Sequence, residues 1–364
     1  MTTALATGCI TLVYKHVGSL DLLLDLYLPA SASIERPSPI LVYFHGGGLT
    51  VGDRTSWFPE WLHERLSASG VAFISAEYRL IPPSTGHDIL QDVTDVFAYV
   101  ANTLNSELSS RGVLNQIDGA RIAVAGTSSG GLCAYLAAAH ALPRPKCLLS
   151  MYGMGGDWLN SHMYTIKREP FFMGYEILDR KSFAEFFHPA CHSLSQISGS
   201  PLCYHPPDSA APGYPANPRM QLGRVYIQEG VFIDYLTGLH SPSLSAMMRV
   251  LLQEDCTSMN ADASRAKMAA AIPESVRPLF PQLNVSPDWP PCLLVHGELD
   301  SAVHADESRH IYDLLKKAGV SVELRVVEGA EHSFDVRPGA LEKYGTKGGL
   351  YDQAFLFVFT ALSS

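Results

Sequence analysis

The stretch Val124–Gly131 reads VAGTSSGG and carries Gly126, Ser128 and Gly130 as G-x-S-x-G. Before it lies RIAVAG, which has the composition of a strand, and after it GGLCAYLAAAHAL, which reads as a helix of small residues. A sharp strand-to-helix turn at this point holds a serine in a strained conformation with its Oγ exposed, above the free N–H groups of a helix start. Attack on a carbonyl is the chemistry such a serine does, once a base takes its proton. With this motif the partners follow in the order acid, then histidine. Asp300 in LLVHGELDSAV and His332 in VVEGAEHSFD satisfy that order, each just beyond a segment that reads as a strand. We therefore expect Ser128 as nucleophile, His332 as base and Asp300 as the acid that orients the imidazole and stabilises its charged form. Asp306, the nearest rival to Asp300, reads instead as an early helical residue.

Attack on a carbonyl puts negative charge on its oxygen, and each aimed N–H donor there is worth roughly 3 kcal/mol. ILVYFHGGGLTVGD, from Ile40 to Asp53, ends an apolar run in consecutive glycines. Glycine lets backbone amides approach a ligand with no Cβ in the way. Gly47 and Gly48 are the expected oxyanion donors, joined by the amide of Ser129.

These groups need a frame that brings distant segments to one edge. CITLVYKHV and LDLLLDLYLPA read as an antiparallel pair joined at Gly18-Ser19. ILVYF, VAFISAEY, RIAVAG and KCLLSMYG then alternate with helical stretches expected at about Thr55–Ser69 and Asp88–Leu104, and with the helix of small residues. The rhythm returns in PCLLVHG, a helix at about Ala305–Ala318, SVELRVVEG and a last helix ending near Leu362. Such alternation predicts an α/β fold, a mostly parallel twisted sheet with helices on both faces. Between Gly155 and Asp288 the rhythm is lost in favour of Pro, Gly, Ser and aromatic residues. The expected division is a first core part at 1–154, a large inserted cap or lid at 155–288, and a second core part at 289–364. Ligands of open α/β sheets bind at the carboxyl ends of the strands, where that insertion falls.

The 364 residues are 47% hydrophobic and carry a formal net charge of −10, with no basic stripe, which argues against nucleic acid and anionic membrane as partners. No apolar run reaches the length of a membrane-spanning helix, and the start lacks the pattern of a secretory signal. The seven cysteines are scattered, with no C-x-x-C, so a reducing, cytoplasmic setting is expected. His188, Cys191, His192, Cys203 and His205 are metal-ligand types, but their spacing lacks the paired pattern of a structural zinc site, and no metal or cofactor is expected. Aromatic residues crowd the insertion. Most read as its own core, some as an apolar substrate surface. GVFIDYLTG reads as an aromatic helix that flanking glycines would allow to swing.

Taken together, HGGG, GTSSGG, Tyr78-Arg79-Leu80, PPCLLVHGELDSAV and EHSF resemble the hormone-sensitive-lipase-like branch of the α/β-hydrolase fold, which contains carboxylesterases and lipases. The resemblance covers about Ile40–Tyr152 and Pro290 to the end. It implies the same roles for Ser128, Asp300, His332, Gly47, Gly48 and Ser129, and a loop-shaping role for His45. Ser129 stands where that family usually has alanine, and IPPSTGHD where it often has Ala-Pro-Glu, leaving Asp88 or Asp92 to pair with Arg79. The expected activity is a serine esterase cleaving a small-molecule carboxylic ester through an acyl-enzyme. The alternatives are an acyltransferase, thioesterase or amidase acting with the same residues on a natural-product-like substrate, or a non-catalytic small-molecule receptor or binding scaffold. Substrate-binding residues, acyl length and oligomeric state are left open by the sequence.

Overall fold

The computed structural model describes residues 9–30, 35–255 and 261–364; Cys256 lies outside them. The opening pair is β1 (Cys9–Val17) and β2 (Leu20–Tyr27), antiparallel across a turn in which Gly18 adopts φ +58°. β2 pairs antiparallel with β4 (Ala72–Ala76), which lies beside β3 (Ser38–Phe44). From there β5 (Ile117–Thr127), β6 (Leu148–Met151), β7 (Cys292–Gly297) and β8 (Val322–Val327) extend the sheet in parallel. The strand order is β1-β2-β4-β3-β5-β6-β7-β8.

The helices are, in chain order, α1 (Glu60–Ala68), α2 (Gly86–Asn102), α3 (Leu104–Ser110), α4 (Ser129–His140), α5 (Arg219–Gln228), α6 (Phe232–Thr237), α7 (Leu244–Asp255), α8 (Ala261–Ala271), α9 (Ala305–Lys317), α10 (Ala340–Tyr344) and α11 (Leu350–Ser363). Side chains of a strand alternate between faces, and in β3 both sets are apolar. Ile40, Val42 and Phe44 join the core under α2, α4 and α9, while Leu41 and Tyr43 join the core under α1 and α11.

Local chemistry moves some boundaries from their expected places. The helix expected from Thr55 begins at Glu60. The Asp53 carboxylate accepts from the Thr55 amide at 2.9 Å and from the Ser56 hydroxyl at 3.0 Å, so the chain turns before Pro59 opens α1. α2 starts at Gly86, before Asp88, because the Asp88 carboxylate reaches back to the Thr85 amide at 2.8 Å. Between β6 and β7, Arg180–Phe186 forms a 3₁₀ segment.

The segment between β6 and β7 does not hold a separate core. Trp158, Tyr164, Phe183, Phe186, Tyr226 and Phe232 pack in one continuous cluster with Leu22, Ile40 and Phe44 of the sheet. This corrects the expectation that GVFIDYLTG can swing. Every residue of α6 is buried, and Asp234 accepts from the Ser245 amide at 2.6 Å and the Ser243 hydroxyl at 2.7 Å. Gly238, at φ +74°, ends the helix as a left-handed cap rather than a hinge.

Two buried ionisable groups hold the frame. Arg79 donates from Nε, Nη2 and its backbone amide to Asp92, and from Nη1 to Asp88 at 2.6 Å; Lys15 reaches Asp92 at 2.7 Å from the other side. This ties β1, the residues after β4 and α2 together. Removing one partner of a buried pair leaves the other uncompensated. Asp92→Ala should therefore cost about 3 kcal/mol in urea unfolding, with an ordinary surface carboxylate such as Asp313 as the control substitution. A variant within 0.5 kcal/mol of wild type, on the order of a surface change, would exclude that role.

The second group is Glu307 in α9. Its Oε2 accepts from the Gly155 amide at 2.7 Å, and Gly156 lies so close that a Cβ there would sit 2.3 Å from the Glu307 carbonyl oxygen. Burial pushes the carboxyl up to about 8. The folded state therefore keeps a proton that the unfolded chain loses near its ordinary pKa of 4.5. Stability contributed by this group is fully present below pH 4.5 and is lost as pH rises toward about 8. In thermal unfolding from pH 5 to pH 8, the wild-type Tm should fall relative to that of Glu307→Gln, which has no such proton to lose. Parallel pH profiles for the two proteins would remove Glu307 as the source.

Candidate active site

Ser128 sits at the junction of β5 and α4 with φ +53° and ψ −122°, a backbone region that side-chain-bearing residues rarely adopt. Neighbouring backbone over-determines this geometry. The Ser128 amide donates to the Met151 carbonyl at 3.0 Å, and its carbonyl accepts from Met154 at 2.8 Å and Gly131 at 2.9 Å. The flanking glycines are required by contact. A Cβ on Gly126 would lie 2.0 Å from the Gly130 carbonyl oxygen, and one on Gly130 would lie 2.1 Å from that of Phe44. The serine thus stands where the ends of β3, β5 and β6 converge.

His332 follows β8, with Nε2 2.9 Å from the Ser128 Oγ and Nδ1 2.7 Å from Oδ2 of Asp300. Asp300 follows β7, and its Oδ1 accepts from the amides of Ala302 at 3.0 Å and Val303 at 2.9 Å. The carboxylate cannot donate, so Nδ1 carries the ring proton and Nε2 is free to accept from the serine hydroxyl. Burial alone would raise the Asp300 carboxyl, but the His296 and His332 hydrogen bonds, with their charges, outweigh it and hold it well below the usual carboxylate range.

Residues that sequence reasoning did not single out complete the arrangement. His296, in β7, is buried with Nε2 2.8 Å from the Val303 carbonyl and 3.2 Å from Oδ2 of Asp300, and Nδ1 2.7 Å from the Ser308 hydroxyl. A carbonyl only accepts, so Nε2 donates, and Asp300 is flanked by an imidazole on each side. Glu331 accepts from the His332 amide at 2.8 Å, the Ser301 amide at 2.8 Å and the Ser301 hydroxyl at 2.9 Å. It thereby ties the loop after β7 to the loop after β8. The Tyr152 ring and the His332 imidazole meet in a T-shaped contact, with centroids 4.8 Å apart, and the Tyr152 hydroxyl donates to Asp335. His296 and Glu331 were within the stretches already quoted. Their positions, four residues before Asp300 and next to His332, were the available signal.

The glycine loop is built around His45, which is buried, stacks on Tyr78 at 4.6 Å and places Nδ1 2.7 Å from the Gly46 carbonyl. Burial pushes this imidazole down to about 4, so it is neutral near pH 7. Gly47 has φ +108°, and its carbonyl accepts from Thr50 at 3.1 Å and Val51 at 3.2 Å. A Cβ there would lie 2.1 Å from the Val51 carbonyl oxygen. Gly47, Gly48, Ser128 and His332 line one cavity of about 460 Å³. Ser129 is buried and opens α4, where a helix leaves its first N–H groups without intrahelical acceptors. Asp300 stands behind His332, away from the cavity lining.

The outer wall comes from the segment between β6 and β7. It includes Phe172, Met173, Tyr175, Tyr204, Tyr214 and Arg224. Phe172, Met173 and Gly174 all have positive φ, and the Met173 amide donates to the Ser301 hydroxyl at 2.7 Å, joining this wall to the Asp300 loop. The metal-ligand types of that segment do not converge. His188 and His192 meet at 3.0 Å, Cys191 is buried and Cys203 exposed, and no group of three or more His, Cys, Asp or Glu able to hold a metal occurs among the described residues.

A family model described as the alpha/beta hydrolase fold matches residues 41–207, and one described as the prolyl oligopeptidase family matches residues 263–350. A probable carboxylesterase of a Phoma species is 33% identical over 144 residues, which are 38% of this chain and 45% of that protein. The non-reducing polyketide synthase adrD of Penicillium rubens is 26% identical over 342 residues, which are 90% of this chain and 13% of the synthase. The chain thus spans less than half the length of these relatives. Among solved structures, esterase 2 of Thermogutta terrifontis phosphoramylated by tabun superposes with a TM-score of 0.55 at 16% identity, covering 98% of this chain and 94% of that one. A Staphylococcus aureus protein of unknown function gives 0.59 at 18% identity, covering 97% and 99%. Described helices include none long and apolar enough to cross a membrane. An eight-stranded, mostly parallel sheet with helices on both faces, matched over residues 41–207 by that family model and across nearly the whole chain by those superpositions, is the α/β-hydrolase fold.

Proposed function

We propose that this protein is a serine hydrolase that cleaves a carboxylic ester of a small molecule through an acyl-enzyme. The observation that carries the reading is the unbroken hydrogen-bond chain from the Ser128 hydroxyl through His332 to Asp300, opening on a cavity walled by glycine backbone. In this reading Nε2 of His332 takes the Ser128 proton as Oγ attacks the ester carbonyl. Asp300, ionised, holds the imidazole in register and stabilises its charged form. Amides of Gly47, Gly48 and Ser129 receive the developing oxyanion. The imidazolium then returns its proton to the leaving alcohol, and water repeats the cycle to release the acid. These steps call for no cofactor. Residues 155–288 act as the cap that walls the site, and Gly47 and Gly48 work from a loop that His45 shapes.

A second reading keeps the same residues and changes the bond or acceptor: a thioesterase, amidase or acyltransferase acting on a natural-product-like acyl group. It is favoured by one observation. The polyketide synthase relatives align with 90% of the chain, cap included, whereas the carboxylesterase relative aligns with 38%. A non-catalytic receptor or scaffold has no comparable support, since every residue the chemistry needs is present.

A fluorophosphonate probe should label the wild-type protein at Ser128 and leave Ser128→Ala unlabelled, as read by peptide mass spectrometry. A folded wild-type protein that never reacts overturns the hydrolase reading. His332→Ala should lower kcat by roughly four to six orders of magnitude while leaving Tm nearly unchanged. Esters and matching thioesters of one acyl group, supplied with water alone or with an added alcohol or amine, separate the two readings by product. Hydrolysis alone, fastest for oxygen esters, supports the first. Dominant thioester cleavage or transfer supports the second.

A further inference from the structure

The cavity wall carries a cation that the proposed chemistry does not use. α5 is fixed against the glycine loop: Gly223 packs on Gly48, with a Cβ at Gly223 only 3.4 Å from the Gly48 Cα. The Thr50 hydroxyl donates to the Arg219 carbonyl at 3.0 Å, and Arg219 donates back to the Thr50 and Ile81 carbonyls at 3.3 Å. The next residue after Gly223 is Arg224, and it lines the same cavity as Ser128 and His332. Its guanidinium lies over the Tyr175 ring at 5.1 Å. The cavity lining contains no Asp or Glu, and among the described residues no carboxylate stands within ion-pair distance of Arg224. Burial pushes the guanidinium down, with only the Tyr214 and Tyr175 hydroxyls acting against it.

A half-buried guanidinium without an anion is costly, because it loses water and gains no counter-charge. Cation–π contact with Tyr175 offsets a part of that cost and leaves the donor edge of the fork available. Arg presents its donors in a rigid plane that matches a carboxylate, unlike the compact ammonium of Lys. The chain as a whole carries −10, so this cation is not an outlying piece of a basic surface. The rim beside it is aromatic, formed by Tyr175, Tyr204 and Tyr214, each about half exposed. A flat ring bearing a carboxylate answers both features at once.

Resting on the hydrolase reading above, we propose that Arg224 is the specificity-determining residue of this site and that the preferred substrate is a ring-bearing ester carrying a free carboxylate. Its carboxylate pairs with the Arg224 fork, its ring lies among the rim tyrosines, and its ester carbonyl faces Ser128. Because Gly223 is packed on the oxyanion loop, the separation between the anion and the reacting carbonyl is set by a rigid contact rather than by a mobile loop.

The test uses two substrates that differ only in charge, 4-nitrophenyl 3-carboxybenzoate and 4-nitrophenyl 3-carbamoylbenzoate. Wild type should favour the carboxylate in kcat/KM by roughly tenfold to a hundredfold, chiefly through KM, as expected of a charge-assisted pair made in ground and transition states alike. Arg224→Gln should erase that ratio, and Arg224→Lys should restore part of it. A ratio that is the same in wild type and Arg224→Gln overturns the proposal while leaving the hydrolase reading intact. Calorimetric binding of isophthalate and isophthalamide to Ser128→Ala, with and without Arg224→Gln, reads the same pairing without turnover. Selective isophthalate binding lost with Arg224→Gln, alongside wild-type protein that neither cleaves the two esters nor reacts with the fluorophosphonate probe, upholds the anion site and sinks the hydrolase reading. Equal binding of both compounds overturns the anion site.

Discussion

One backbone conformation constrains everything built around it. Ser128 lies at φ +53°, and the strain persists only because backbone from several elements closes on it: the end of β6 through Met151 and Met154, the first turn of α4 through Gly131, and the end of β3 against Gly130. No side chain fits at Gly126 or Gly130. The parallel sheet brings these ends together, and the same edge receives the loops after β7 and β8, which carry Asp300 and His332. Geometry at the serine is therefore a property of the whole sheet, and the imidazole meets it because Glu331 and His296 fix the two loops from behind.

Electrostatics follow the same plan of fixed neighbours. Asp300 is buried, yet it is held ionised by imidazoles on both sides and by two backbone amides. Glu307, buried nearby without such donors on both oxygens, is pushed the other way. Two buried carboxyl groups thus hold different protonation states near neutral pH, Asp300 ionised beside the His332 imidazole and Glu307 protonated.

The fold class was legible because its signals are local: apolar runs of strand length, small-residue helices and a glycine-serine turn between them. Ser128, Asp300 and His332 stood out for a related reason, since each falls just past a strand whose direction the alternation fixes. Other features depend on contacts that no spacing encodes. The start of α1 was displaced by the side chain of Asp53, a competition of single hydrogen bonds. Burial of α6 could not be read from its glycines, because what decides it is the sheet core it joins. Arg224 is one of many arginines in the sequence, and only the placement of α5 against Gly48 brings it to the cavity. Ser129 illustrates the converse. A change of side chain from the resembling family leaves a backbone amide where it was, so a departure in sequence carries no departure in that group.

The core that the sheet shares with the segment between β6 and β7 also divides that segment into parts with different freedom to vary. Trp158, Tyr226 and Phe232 interlock with strand residues, so altering them disturbs the barrel of contacts beneath the serine as much as the wall above it. The irregular stretches around Phe172–Gly174 and Tyr204–Pro215 touch the cavity from outside that interlocked mass. Diversification among descendants of this scaffold is thereby channelled into those hairpin-like rims, where length and residue type can drift and retune what enters while the interior stays frozen.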